Sequence, residues 1–155
     1  MKIPLTKGLF AIVDEEDYEN LSRYQWYVLG HKNKEYAARY VGNNKHLRMH
    51  RILLNAPDGI EVDHINGNRL DNRKCNLRLA TRAENGRNRG KFKCKTHSKY
   101  KGVTYHTRDK RWQGTIIINR RHIHLGYFDT EQEAALAYND AALKFHGKFA
   151  KLNEV

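Results

Sequence analysis

Between residues 91 and 101 the chain reads KFKCKTHSKYK, with five lysines, no acidic residue and no apolar period. Such a segment has no face to bury, so it reads as an extended basic linker, and the rest of the chain must fold as small units on either side of it. The full sequence of 155 residues has room for one ordinary domain or two small ones. The charge is placed unevenly along it. Lys+Arg 29 against Asp+Glu 17 leaves a net charge of +12. The window from Arg82 to Arg111 holds eleven basic residues against only Glu84 and Asp109, which is nine of those twelve charges.

A surplus concentrated in one stretch points to phosphates, anionic lipid or an acidic protein as partner. Mean hydropathy is -0.86, and no run approaches the ~20 apolar residues of a membrane span, so membrane insertion is not expected. The opening MKIPLTKGLFAIVDEEDYE has no apolar core of a secretory signal. Cys75 and Cys94 form no CxxC pair, so neither a zinc finger nor a disulfide framework is expected, and a reducing compartment is. Fully extended, the linker reaches at most ~36 Å, about one turn of duplex DNA. Lys91, Lys93, Lys95, Lys99 and Lys101 could then lie on successive phosphates, with Arg82 and Arg89 ahead of them. A solvated linker is the plainer reading of the same residues.

From Gly102 the pattern has period two. Val103 and Tyr105 alternate with Thr104 and His106. After the polar turn RDK, Trp112, Gly114, Ile116 and Ile118 alternate with Gln113, Thr115 and Ile117. After NRR, Ile123, Leu125 and Tyr127 alternate with His122 and His124. This predicts three antiparallel strands with one apolar face. Thr130 with Glu133 then forms a capping box, and Gly147 is placed to end a helix whose stripe is Ala134, Tyr138, Ala141, Ala142 and Phe145. The helix covers the apolar face. The other face presents Thr104, His106, Gln113, Thr115, His122 and His124, flanked by Lys101, Arg108 and Arg111, and reads as a surface for a DNA groove rather than a histidine metal cluster.

The blocks YKGV, LGYFDT, EAALAYNDAAL and KLN resemble the plant ethylene-response-factor (Apetala-type) DNA-binding domain over residues 100–153. The resemblance implies a three-stranded sheet lying in the major groove and backed by one helix. The reading face departs from that family. The family has arginine near Thr104, His106, Ile117 and His122, glutamate near Thr115 and tryptophan near His124, so its target sequence does not carry over.

The middle segment reads LRMHRILLNAPDGIEVDHINGNRLDNRKCNLRLATRAENGRNR over residues 47–89. A strand ends at Val62-Asp63-His64, a turn follows at INGN, and a short strand lies around Leu77–Leu79. Thr81 with Glu84 is a second capping box, opening a helix that carries Asn85, Asn88 and Arg89 on one face. Carboxylate and amide oxygens suit magnesium or a similar ion, and a neutral imidazole can take a proton from water. Asp63 and His64 are neighbours, however, and point to opposite faces unless the strand breaks between them. The residues alone leave open a surface loop held by Asn and Asp hydrogen bonds.

MHRILL, VDHINGNRLDN, NLRLAT and AEN, in that order, resemble the HNH homing-endonuclease family of the phage and intron-encoded type over roughly 49–89. The resemblance implies a ββα-metal finger with His64 as general base, Asp63 and Asn85 as metal ligands, and Asn76 tying the loop together. His50 and Arg51 match the His-Arg pair ahead of the finger, Arg51 meeting a phosphate or serving structure. The implied cofactor is a divalent ion, magnesium or manganese, with no structural zinc.

Residues 1–48 read as a small scaffold. Phe10, Ile12 and WYVL suggest strands, DEEDYENLSRY an acidic short helix, and Tyr36–Val41 with His46–Arg48 a hairpin across Gly42-Asn43-Asn44. Trp26, Tyr27, Tyr36 and Tyr40 read as core before they read as base-stacking groups.

The expected protein is thus α+β: a scaffold (1–48), an HNH ββα-metal motif (49–90), a basic linker (91–99), and a three-stranded antiparallel sheet packed on one helix (100–153). The expected activity is metal-dependent, site-preferring cleavage of double-stranded DNA. The protein would act as a monomer or weak dimer, phage-encoded and in the cytoplasm of a bacterial host. A non-enzymatic DNA-binding regulator with a structural finger is the alternative. An RNA-directed nuclease is disfavoured, because A-form RNA hides the groove such a sheet would enter.

Overall fold

The computed structural model describes residues 1–32, 34–91 and 97–155. It divides into two compact units, Met1–Asn85 and Gly86–Val155. Both are mixed α/β, built on small antiparallel sheets.

In the first unit β1 (Lys2–Pro4) pairs with β2 (Phe10–Ile12) in the register Ile3↔Ala11. The short strand β1 carries no sequence signal strong enough to predict it, and β2 supplies its partner. Helix α1 (Glu15–Ser22) has Glu15, Glu16 and Asp17 in its first turn, where the helix dipole favours negative charge. Strands β3 (Tyr27–Leu29), β4 (Tyr36–Tyr40) and β5 (His46–Arg48) form a second antiparallel sheet in that order. The hairpin between β4 and β5 turns on Gly42, Asn43 and Asn44, all at positive φ, a conformation that Gly and Asn adopt at least cost. Helix α2 (Met49–Leu53) follows directly. Ile3, Ala11, Val13, Leu21, Trp26, Val28, Ala37 and Met49 form the core. Trp26 is therefore core as expected, whereas Tyr40 is 56% exposed.

The same unit continues with β6 (Glu61–His64) paired antiparallel to β7 (Leu77–Ala80), and it ends within the helix that follows, α3 (Arg82–Arg87). The loop between β6 and β7 is anchored to β2. Ile12 N–H donates to Leu70 O at 2.8 Å, and Asn72 N–H donates to Ile12 O at 2.7 Å. Both bonds of the second capping box form. Glu84 N–H donates to Thr81 Oγ1 at 3.3 Å, and Thr81 N–H donates to Glu84 Oε2 at 2.8 Å. Helix α3 is shorter than expected. It stops at Arg87, so Asn88 and Arg89 lie beyond it and do not share a helical face with Asn85. Gly86 and Gly90, weak helix residues, bracket its end.

In the second unit β8 (Val103–His106), β9 (Arg111–Ile118) and β10 (Arg121–Phe128) make an antiparallel sheet with β9 central, covered by α4 (Glu131–His146). The capping box at Thr130 and Glu133 is complete, and Gly147 takes the C-cap at φ 52. Ala134, Ala135, Tyr138, Ala141 and Ala142 are buried against Val103 and Ile116. The small alanines let the helix lie close to the sheet. Phe145, expected in the stripe, is instead 44% exposed, and His146 is buried at the helix end.

Strand β10 departs from the strict alternation expected of it. The register runs His124↔Thr115 and then Gly126↔Gly114, so Leu125 is an extra residue and the alternation inverts after it. Tyr127 therefore pairs with Gln113 on the polar face, and Phe128 pairs with Trp112 on the apolar one. Gly102 is the most closely packed glycine of this unit. Its φ is +76, and a Cβ there would stand 2.2 Å from the Tyr138 ring. Asn153 closes the unit. It accepts from Lys101 N–H at 2.7 Å and donates to Lys101 O at 3.0 Å, while its own N–H donates to Asn139 Oδ1 at 2.7 Å.

Candidate active site and nucleic-acid interface

Strand β6 stays regular through its last residue, with Asp63 opposite Arg78 and His64 opposite Leu77. The break comes after His64, where Gly67 N–H donates to His64 O at 2.8 Å. Asp63 and His64 therefore leave opposite faces of the strand, contrary to the break between them that the single-site scheme required.

His64 is buried, 5% exposed. Its Nε2 lies 3.3 Å from Asn72 Oδ1, and the Asn72 amide is oriented by its own donation to Leu70 O at 3.2 Å. An amide oxygen at Nε2 selects the tautomer with the proton there and leaves Nδ1 as the basic nitrogen. Burial lowers the His64 pKa below its usual 6.5, against the Asn72 hydrogen bond and the Asp63 carboxylate, which raise it. The ring is therefore neutral at pH 7, as a proton acceptor must be. His50 stacks edge-on against it at 5.1 Å between centroids, and Tyr36 lies 6.2 Å away. Burial, the His64 ring and nearby guanidinium groups bring the His50 pKa down to about 3. His50 is thus a neutral packing partner of His64.

The other face of β6 carries Glu61 and Asp63. The Asp63 carboxylate is clasped by Arg78, with Nε at 2.8 Å and a terminal nitrogen at 2.6 Å. Asn85 donates from Nδ2 to Glu61 Oε2 at 2.5 Å, which turns its Oδ1 away from that bond and draws α3 onto the same face as Asp63. Asp63, Glu61 and the Asn85 oxygen are hard donors that suit a divalent ion completed by water and phosphate. Among the described residues no group of three His, Cys, Asp or Glu could by itself hold a metal. Asp63, Glu61 and Asn85 thus offer an open set of oxygens.

Asn76 is buried, and both ends of its amide are used. Oδ1 accepts from Asn66 N–H at 3.0 Å, and Nδ2 donates to Asp71 O at 2.8 Å. Asp71, which the sequence did not single out, is gripped by Arg73 at 2.8 Å and by Asn66 Nδ2 at 3.0 Å. The Arg73 guanidinium holds its carboxyl below the usual range. Glu61, Asn66, Asn72 and Arg78 were likewise missed as site residues. Only the density of Asn and Asp in the loop hinted at them.

Three basic residues expected on DNA are committed elsewhere. Arg51 donates to the carbonyls of Ile60, Ala56 and Pro57 at 2.6, 3.0 and 2.9 Å, which caps the turn after α2. Lys91 donates to Ser98 O at 2.6 Å. Lys101 donates to Arg87 O and Arg89 O at 2.6 and 2.7 Å, and burial brings its pKa down to about 8. Arg82, Arg89 and Lys99 are exposed, while Lys93 and Lys95, with the middle of the expected linker, lie outside the described residues.

The polar face of the second sheet brings together Thr104, His106, Arg111, Gln113, Thr115, His122, His124 and Tyr127 by register. The Tyr127 ring lies 5.6 Å from His106 and 4.7 Å from His124, and Gln113 Nε2 is 3.1 Å from His124 Nδ1. Arg108 is paired with Asp109 and Arg111 with Asp129, both at exposed positions. Thr115 Oγ1 donates to Gly102 O at 3.4 Å. Among the described residues no helix is long and apolar enough to cross a membrane.

Residues 55–87 match the family model described as HNH endonuclease, and residues 98–148 match the AP2 domain. A protein of Acanthamoeba polyphaga mimivirus named "Uncharacterized HNH endonuclease L560" is 32% identical over 156 residues, covering 96% of this chain and 77% of its own length. APETALA2-like protein 2 of Oryza sativa subsp. indica is 45% identical over 58 residues, 36% of this chain and 13% of that protein. The AP2-like ethylene-responsive transcription factor PLT2 of Arabidopsis thaliana is 47% identical over 58 residues, 36% of this chain and 10% of that protein. The chain thus spans only a small part of the plant relatives.

Proposed function

The chain belongs to the HNH endonuclease family and joins to it an AP2 domain, and on that premise we propose that it is a metal-dependent, site-preferring DNA endonuclease of the homing type. The observation that carries this reading is His64: buried, with burial lowering its pKa, and with Nε2 against the Asn72 amide oxygen, which favours Nδ1 as the basic nitrogen. In the reaction His64 Nδ1 takes a proton from the attacking water, and its imidazolium charge is tolerated beside the Asp63 carboxylate. Asp63 and Asn85, with Glu61 beside them, would hold magnesium or manganese on the face of β6 opposite His64, so the phosphate to be cut would have to reach both faces at the strand end. A divalent ion bound there supplies stabilisation of charge on the phosphoryl and leaving oxygens. Asn76 keeps the β6–β7 loop closed and so fixes His64 relative to these oxygens. In this reading β6, β7 and α3 act as a ββα-metal finger, and one finger nicks one strand to leave 5′-phosphate and 3′-hydroxyl ends. The protein is a monomer or weak dimer in this reading, virus- or phage-encoded and acting in the host cytoplasm.

The second sheet docks the enzyme on duplex DNA. Thr104, Gln113, His124 and Tyr127 face the bases, and Arg108 and Arg111 lie toward the phosphates.

One observation favours a second reading. The Asp63 carboxylate is held by Arg78 at 2.6 Å, a cation already in the place where a metal is needed. A DNA-binding regulator with a purely structural finger would keep that pair closed. Cleavage of supercoiled plasmid separates the two readings, assayed with magnesium, with EDTA and with His64→Ala. Nicking that needs the metal and disappears in His64→Ala supports the nuclease. Plasmid shifted but never cut, with manganese as well as magnesium, refutes it in favour of the regulator.

A further inference from the structure

Beside His64, two arginines without a role in the chemistry above converge on one aromatic ring. Arg48 ends β5, and its guanidinium lies 5.2 Å from the centroid of Tyr36. Arg69, in the loop after β6, lies 4.8 Å from the same centroid. Tyr36 in turn packs 5.2 Å from His50 and 6.2 Å from His64. Among the described residues neither Arg48 nor Arg69 has a carboxylate partner, whereas Arg23, Arg73, Arg78 and Arg111 are each matched to an acid.

Stacking on a ring face holds a guanidinium in place and leaves its N–H edges for a ligand. Two cations against one ring repel each other unless an anion lies between or beside them. Arginine edges match phosphate oxygens in geometry as well as charge. We propose that Arg48 and Arg69, held on Tyr36, bind a backbone phosphate of the DNA next to His64. The choice of DNA as the source of that phosphate rests on the nuclease reading. The register extends the surface away from His64, since Arg48 pairs with Ala38 and His46 with Tyr40 on the same face of the sheet as Tyr36. The strand leaving the site therefore meets exposed His46 and Tyr40 next.

The test uses the full-length protein and a short duplex DNA in EDTA, where cleavage is silent. Affinity is measured across a salt series for the wild type, Arg48→Ala, Arg69→Ala and Arg69→Lys. Arg23→Ala serves as the control, and circular dichroism melting checks that each variant folds. Each alanine variant is expected to bind about tenfold more weakly, with a salt slope shallower by about one. Arg69→Lys keeps the slope but loses part of the affinity, because an ammonium has no planar face to stack. Arg23→Ala binds as the wild type does. Folded Arg48→Ala and Arg69→Ala with wild-type affinity and slope overturn the proposal. A parallel plasmid assay with magnesium keeps the two readings apart. Loss of binding in the variants with a wild type that never cuts removes the nuclease and leaves the phosphate site. A wild type that cuts, with unaffected variants, does the reverse.

Discussion

Replacing Asn76 by alanine breaks the β6–β7 loop at its tie point, and the structure sets the cost. Two hydrogen bonds disappear, from Asn66 N–H to Oδ1 and from Nδ2 to Asp71 O. Asn66 is exposed, so water replaces its lost acceptor and that bond is worth about 0.5–1.5 kcal/mol. Asp71 is only 2% exposed, so its carbonyl stays buried and unpaired, at about 1–3 kcal/mol. The expected loss is about 2–4 kcal/mol, confined to the unit Met1–Asn85. For a unit of that size it lowers the melting temperature by roughly 10–25 °C. Scanning calorimetry of the full chain reads it as a shift of one transition, with the transition of Gly86–Val155 unmoved. Asn76→Asp is the informative partner. It keeps an acceptor for Asn66 but sets a carboxylate against the Asp71 carbonyl, so it should melt no higher than Asn76→Ala at pH 7. A shift within about 2 °C for Asn76→Ala, or an Asn76→Asp protein as stable as the wild type, would refute the reasoning.

Asn72→Ala removes the oxygen that orients His64, so the nicking rate should fall by about tenfold while KM holds, in a plasmid assay at saturating metal. An unchanged rate sinks the orienting role. The first unit should also lose stability in acid. His50 and His64 have folded pKa values below 6.5, so the unfolded chain binds more protons, and stability is lost as pH falls from about 6.5 toward the His50 value of about 3. Urea midpoints at pH 7.5 and pH 5 measure this, and equal midpoints contradict it. Gly102→Ala should destabilise the second unit by at least ~2 kcal/mol, through positive φ and the clash with Tyr138. Its transition should drop while that of the first unit stays in place.

Local chemistry was legible in the sequence. Both capping boxes, the hairpin turn at Gly42-Asn43-Asn44 and the alanine stripe form where residue type and spacing put them. Each depends on neighbours within about four residues, so the string of letters contains the whole interaction. The period-two pattern also held until Leu125. There a partner strand eleven residues away imposed a bulge, and Tyr127 changed faces. Nothing local to HIHLGYF marks that inversion except Gly126, whose φ of 135 accommodates it.

The site was legible as a set of residue types and not as an arrangement. His64, Asp63, Asn76 and Asn85 could be named from spacing and resemblance, but their partners come from distant segments. Asp63 meets Arg78 and His64 meets His50, while Arg48, Arg69 and Tyr36 meet from three separate stretches of chain. Charge shows the same division. The sequence determined how many basic side chains the protein carries and where along the chain they cluster. Only the tertiary structure decided that Arg51, Lys91 and Lys101 serve backbone carbonyls while Arg48 and Arg69, without a carboxylate partner among the described residues, lie on Tyr36 near His64. A carbonyl or a ring claims a cation through contact in space, and contact between remote segments exists only once the chain has folded.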